Sequence, residues 1–136
     1  MAGNFKLKIV TPSRSFFDGD VEMVIIRVSE GDMGILKDHE PVVSPVAIGP
    51  IRIKNVDGKF VEAACAGGFM TVTDEQTTIV TDAAEWAHEI DVERAKEALD
   101  RNRNRLDSDD HEVDVVRART SLNRAMNRLR ITGIDI

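Results

Sequence analysis

The chain has no tyrosine, one tryptophan and five phenylalanines. So few aromatics leave no platform on which the bases of a single strand could stack. Its single cysteine, Cys65, lies in an apolar run. It has no internal partner for a disulfide, and this usage fits a reducing cytosol. No stretch approaches the roughly 18 apolar residues of a membrane span. The start, MAGNFKLKIV, has no apolar h-region of a secretory signal. The expectation is a soluble protein that could still work at a membrane by docking on other proteins. A net charge of −6 and a pI near 5.0 set an unfavourable field for nucleic acid or anionic lipid. Lysine is also scarce at the C-terminal end. Nine of the twelve arginines lie between Arg94 and Arg130, a stretch with one lysine, Lys96. The guanidinium is a planar fork suited to phosphate and carboxylate, whereas lysine is a hydrated point charge.

What is present divides into two parts. At 136 residues, 42% hydrophobic and 31% charged, the chain is globular and long enough for one domain or a small domain with an appendage. From Phe5 to about Val80 the period is that of strands. Phe5, Leu7 and Ile9 alternate with Lys6 and Lys8, and Pro12 ends the run. Val21–Val28 is β-branched and reads as buried on both faces for part of its length. Ile51–Lys54 and Lys59–Val61 flank Asn55-Val56-Asp57-Gly58, a hairpin with Asp-Gly as its turn signal. Phe69–Thr73 and Thr77–Thr81 form a second hairpin around Asp74-Glu75-Gln76. Strands at this spacing predict an antiparallel β-sandwich or barrel.

Near Asp82 the period changes. Between Gly68 and Gly133 there is no glycine, and after Pro50 no proline. One helix is predicted from Asp91, as N-cap, to Leu106. The turn Asp107-Ser108-Asp109-Asp110 is expected to cap a second that runs to about Leu129. The reading is therefore a β-sandwich over residues 1–86, followed by an antiparallel two-helix hairpin over 87–136. The hairpin is too small to carry a large core of its own.

Heptad spacing places a seam on Val92, Ala95, Leu99, Asn102 and Leu106 of the first helix, and on Val115, Ala118, Leu122, Ala125 and Leu129 of the second. Both are rich in alanine, and Asn102 is polar, so the seam is thin. One position back lie Arg94, Ala98, Arg101 and Arg105, and Arg117, Ser121, Arg124 and Arg128. In an antiparallel pair these flanks meet, and up to six guanidiniums converge on one edge. Three readings stand side by side: a polyphosphate site, a contact for the acidic surface of a partner protein, and plain solvation. For the last, Glu97 before Arg101 and Asp114 before Arg117 are at ion-pairing distance along a helix, each pair worth about 0.2–0.5 kcal/mol.

Catalytic patterns are missing. Gly31-Asp-Met-Gly34-Ile-Leu-Lys-Asp-His39-Glu-Pro41 is the main loop cluster and lacks the spacing of a phosphate loop. His39 reads as a residue capping a turn rather than a base or ligand. His88 and His111 have no metal-ligand spacing. Ser13, Ser15 and Cys65 lack a nucleophile signature. Gly67-Gly68-Phe69 reads as a strand entry where backbones pack closely.

Four stretches together resemble the epsilon subunit family of bacterial F-type ATP synthases, over essentially the whole chain. They are Val10-Thr-Pro12; Asp20-Val-Glu-Met-Val24 leading to Gly31-Asp-Met-Gly-Ile-Leu36 and His39-Glu-Pro41; Gly67-Gly-Phe69; and Ile90-Asp91-Val-Glu-Arg94-Ala95 with Arg124-Ala-Met-Asn-Arg128-Leu129. The departure is Lys37-Asp38, where the family often has Gly or Asn next to the histidine. The resemblance implies a non-catalytic subunit of the rotor's central stalk, peripheral on the cytoplasmic face of the bacterial cell membrane. The implied partners are the gamma subunit, the ring of c subunits and, through an extended hairpin, the alpha and beta subunits. The implied role is to couple proton flow to ATP synthesis and to inhibit ATP hydrolysis. It further implies a folded hairpin that binds ATP as a regulatory ligand without hydrolysing it, and leaves magnesium open. Glu85, Ile90, Asp91 and Ala95 would then surround adenine and ribose, and Arg94, Arg101, Arg124 and Arg128 would hold the phosphates. The alternative for the hairpin is a structural or inhibitory element with no nucleotide.

Overall fold

The computed structural model describes residues 3–108 and 113–134. Seven strands come first: β1 (Phe5–Val10), β2 (Ser15–Val28), β3 (Gly31–Ile35), β4 (Val42–Asn55), β5 (Phe60–Val72), β6 (Thr77–Thr81) and β7 (Ala84–Trp86). A 3-10 turn over Ala87–Glu89 leads to helices α1 (Val92–Asp107) and α2 (Val115–Ile131). The chain divides into two compact units between Glu85 and Trp86.

In the first unit the sheet runs β1-β6-β5-β4-β2, with β3 beyond β2 and β7 on β5, and β1 also pairs with β2. The sheet therefore closes on itself as a barrel-like sandwich, which leaves few open edges. The pairings among β1–β6 are antiparallel except β1 with β6, which run parallel from Leu7↔Thr77 to Val10↔Val80. The interior is aliphatic: Leu7, Ile9, Val24, Ile26, Ile53 and Ile79 are all 0% exposed. The alternation seen in β1 follows from this, since Leu7 and Ile9 point inward while Lys6 and Lys8 do not.

Three sequence expectations change. Against the expectation of burial on both faces for part of its length, the run Val21–Val28 has one face buried and the other half-buried. A bulge between Val21 and Met23 shifts the parity, so that Val21, Val24 and Ile26 are buried while Met23 and Ile25 are only half-buried. The loop cluster contains a strand, β3, paired to β2 from Val24↔Ile35 to Val28↔Gly31. Ser29-Glu30 makes that turn and carries no hairpin signature, while Gly31 takes the positive φ just after it. Finally, β4 begins at Val42, not Ile51, although Pro45 and Pro50 lie within it. Both prolines fall outside the span paired to β2, which begins at Arg52, so no ladder bond on that side is lost.

The family-like stretches have local physical reasons. In the turn after β1 the Thr11 backbone N–H donates to the Arg14 carbonyl at 2.9 Å, and its hydroxyl accepts from the Arg14 N–H at 3.2 Å. Gly68 has φ +149, and a Cβ there would lie 1.9 Å from the Val80 carbonyl oxygen. Asp38 has φ 64, the left-handed region that glycine and asparagine otherwise supply at such a turn.

In the second unit, α1 starts where predicted. The Asp91 carboxylate accepts from the Arg94 N–H at 3.1 Å. The cap of α2 is Asp114, which accepts from the Arg117 N–H at 3.0 Å. It is not the 107–110 turn: Asp107 still belongs to α1 and Ser108 is its C-cap. Asp109 and Asp110 lie outside the described residues. The seam between the helices is thin, as the alanine content implies. Its buried cluster is Ala95, Leu99, Ala125 and Leu129, with Val92, Ala98, Leu122, Met126 and Ile134 packed around it. Val115 does not join it. At the first position of α2 it is 49% exposed, because the seam frays towards the interhelix end.

Candidate functional site

The heptad register decides what the hairpin's edge displays. With Ala95, Leu99, Ala125 and Leu129 turned inward, the positions one residue back must flank the seam. Seven of those eight residues line one cavity of about 250 Å³: Ala98, Arg101, Arg105, Arg117, Ser121, Arg124 and Arg128, with Asn102 and Ala125 as its floor. Among the described residues, five guanidiniums therefore share a wall that contains no carboxylate. Arg101, Arg105, Arg117 and Arg124 are exposed and Arg128 is half-buried. The small side chains of Ala98 and Ser121 leave the space between them.

Among the described residues, Asp114 accepts from the backbone N–H of Arg117, as a cap. Lys96 pairs with Glu93 at 3.9 Å, and neither residue lines the cavity. None of the ion pairs among the described residues involves Arg101, Arg105, Arg117 or Arg124. Clustered guanidiniums repel one another, and an anion that accepts their forks relieves the repulsion.

Beneath the arginines lies a buried amide. Asn102 is 1% exposed, and its Nδ2 donates to the Ala98 carbonyl at 2.7 Å. Its Oδ1 has no hydrogen-bond partner. A seam position that holds an unsatisfied acceptor holds the two helices together weakly.

Arg101, Arg124 and Arg128, three of the arginines the resemblance assigns to phosphates, are brought together here. Arg94, the fourth, is exposed and does not line the cavity. It stands seven residues before Arg101, about 10 Å along the helix axis. Ile90 and Ala95 are buried and Asp91 caps α1; none of the three lines this cavity. Glu85 belongs to β7, in the first unit. Arg105 and Arg117, absent from the family assignment, are present on the wall. The heptad rows had already singled them out.

A larger cavity of about 640 Å³ lies in the first unit, between the turn after β3 and the β5–β6 turn. Lys6 and Lys37 share its wall with Asp20, Asp38, Glu40, Asp74 and Glu75, so its lining is acidic on balance and does not suit an anion. His39 faces its own backbone, Nδ1 lying 2.7 Å from the Glu40 carbonyl oxygen. Among the described residues no group of His, Cys, Asp or Glu gathers that could hold a metal ion. His88 is exposed, and His111 lies outside the described residues. Burial raises the Cys65 thiol pKa above 9.0, only partly offset by its hydrogen bond to the Thr81 hydroxyl. No helix among the described residues is long and apolar enough to cross a membrane.

Residues 4–87 match the β-sandwich domain of the ATP synthase delta/epsilon chain, and residues 88–133 match its long α-helix domain. The chain is similar to an ATP synthase epsilon chain of Alkaliphilus oremlandii, 55% identical over 106 residues, which is 78% of each protein. An epsilon chain of Acetobacterium woodii named as sodium ion specific is 45% identical over 80% of this chain and 82% of its own. Among solved structures, a chain of the Euglena gracilis mitochondrial ATP synthase superposes with a TM-score of 0.80 at 28% identity, covering 91% of this chain and 78% of that one.

Proposed function

Because the chain belongs to the delta/epsilon family of ATP synthase subunits, we propose that it is a non-catalytic subunit of the central stalk whose helical hairpin senses ATP. In this reading the β-unit contacts the gamma subunit and the c ring and helps couple proton flow to synthesis. The complex places it at the cytoplasmic face of the cell membrane. When the hairpin opens, it extends towards the alpha and beta subunits and inhibits hydrolysis.

The observation that carries the nucleotide part is the cavity wall of five arginines, without a carboxylate among the described residues. Arg101, Arg124 and Arg128 hold the phosphates, with Arg94 towards the nucleoside end beside Ile90, Asp91 and Ala95. In this reading ATP is bound as a regulatory ligand and is not hydrolysed; the described residues of the wall supply hydrogen-bond donors. Each arginine donates through a planar fork, which suits the phosphoryl oxygens. Binding that occurs only in the folded hairpin stabilises it by RT ln(1 + [ATP]/Kd), about 2.7 kcal/mol at 100 Kd. With a seam of alanines, two leucines and an unsatisfied Asn102, that linkage is enough to decide whether the hairpin is closed.

The test is isothermal titration of the chain with ATP, with ADP as comparison. Saturable one-to-one binding that is stronger for ATP, and weakened at least tenfold by Arg124→Ala or Arg128→Ala, is the expected result. Absence of binding at millimolar ATP would reassign these arginines to acidic surfaces of partner subunits.

A further inference from the structure

The cavity holds more positive charge than a nucleoside triphosphate assignment uses. Arg105 and Arg117 stand on the same wall as Arg101, Arg124 and Arg128, at the end nearest the interhelix connection. None of the residues assigned to adenine or ribose lines it. The cavity is therefore a phosphate site along its whole length.

The two helices also repeat one another. Asp91-Val92-Glu93-Arg94-Ala95 recurs as Asp114-Val115-Val116-Arg117-Ala118, and Arg101 and Arg105 recur as Arg124 and Arg128, each a constant 23 residues on. Both aspartates cap their helices in the same way, at 3.1 and 3.0 Å. Folding such a repeat back on itself makes an approximate two-fold arrangement. Arg101 and Arg124 are equivalent positions at its middle, while Arg105 and Arg117 lie together at one end. Arg94, the counterpart of Arg117, does not line the cavity, so the wall extends further on the side of Arg105 and Arg117, where no nucleoside group is assigned. From Arg117 to Arg128 the row spans about 16 Å of helix at 1.5 Å per residue, a length along which a chain of phosphates can meet successive guanidiniums.

We propose that this cavity binds linear inorganic polyphosphate of four or more phosphates through the phosphates alone, with Arg105 and Arg117 as the subsite beyond the triphosphate. The inference rests on the anion-site reading of the hairpin but not on recognition of a nucleoside. A longer chain engages the two additional arginines by charge-assisted hydrogen bonds. It then competes with ATP and, like ATP, favours the folded hairpin.

The full chain is titrated calorimetrically at low ionic strength, where screening is least, with inorganic tetrapolyphosphate, inorganic tripolyphosphate and ATP. Tetrapolyphosphate is expected to bind about tenfold more tightly than tripolyphosphate. The double substitution R105Q/R117Q brings the two to equal affinity. Both residues are exposed, so the fold should survive, and far-UV circular dichroism checks that. R103Q/R119Q removes the same charge from exposed positions that do not line the cavity, and preserves the preference. Equal affinity of the two inorganic chains for the unmodified protein would overturn the proposal. So would an equal loss in R103Q/R119Q, which would mean general attraction rather than a subsite. If ATP binds and neither inorganic chain does, this inference fails while the nucleotide reading stands. If the inorganic chains bind with the stated preference and ATP does not, the nucleotide reading fails and this one holds. If nothing binds, both fall.

Discussion

Replacing Asn102 by leucine tests whether the hairpin is kept deliberately weak. Asn102 is 1% exposed at a seam position, and its Oδ1 has no partner. An unsatisfied buried acceptor costs about 1–3 kcal/mol. Leucine is close to asparagine in size and needs no partner, so the substitution removes that cost. The lost bond from Nδ2 to the Ala98 carbonyl returns only part of it, because that carbonyl also accepts the regular helical bond. The net expectation is a hairpin about 1–2 kcal/mol more stable, equivalent to a 5–30-fold change in its opening equilibrium. Native-state hydrogen exchange of the α1 and α2 amides measures it directly: protection should rise by that factor, with the β-unit amides unchanged. Asn102→Ala removes the acceptor without filling the space and should give a smaller gain. Unchanged or reduced protection in Asn102→Leu would refute the reasoning, since it would mean the amide is satisfied in solution. Under the proposed function, a hairpin held closed in the assembled synthase should inhibit hydrolysis less.

Other expectations concern the parts that hold the fold. Gly68→Ala sets a Cβ against the Val80 carbonyl at a positive φ, and should destabilise the β-unit by about 3 kcal/mol or more in chemical denaturation. Cys65 has its pKa raised by burial above the ordinary 9.0, so the folded state holds the proton more tightly than the unfolded chain. Its contribution is fully present below pH 9 and is lost as pH rises through the folded pKa. Denaturation midpoints should therefore fall above about pH 9, and Cys65→Ala should lack that part of the fall. Asp91→Ala and Asp114→Ala each remove a helix cap and should lower helical stability by about 1 kcal/mol in thermal melts.

Much of this was legible in the residues because local chemistry determines it. The period-two run Phe5–Ile9 became β1, the Asp57-Gly58 turn joined β4 to β5, and Asp91 capped α1. Each rests on a few neighbouring residues that act alone. Where a strand's start depended on its partner, the sequence was silent. Pro45 and Pro50 do not forbid β4, because both lie in the part of it that pairs with β5 and not with β2, which only the pairing reveals. The bulge at Val21–Met23 similarly reversed the inward face of β2, a choice that depends on β4.

The arginine edge divides in the same way. Helical spacing alone determined which residues flank the seam, since 3.6 residues per turn leaves no freedom once Ala95, Leu99, Ala125 and Leu129 face inward. It could not decide how many of the six arginines share one space. That depended on where along the axis the two helices overlap. The overlap gathers Arg105 and Arg117 with Arg101, Arg124 and Arg128, and leaves Arg94 a turn or more beyond the cavity. Asp114 caps the Arg117 backbone N–H through Oδ1, a bond made within one turn of α2. Composition and periodicity thus settled the presence of a cationic edge, and tertiary packing settled which arginines share one space.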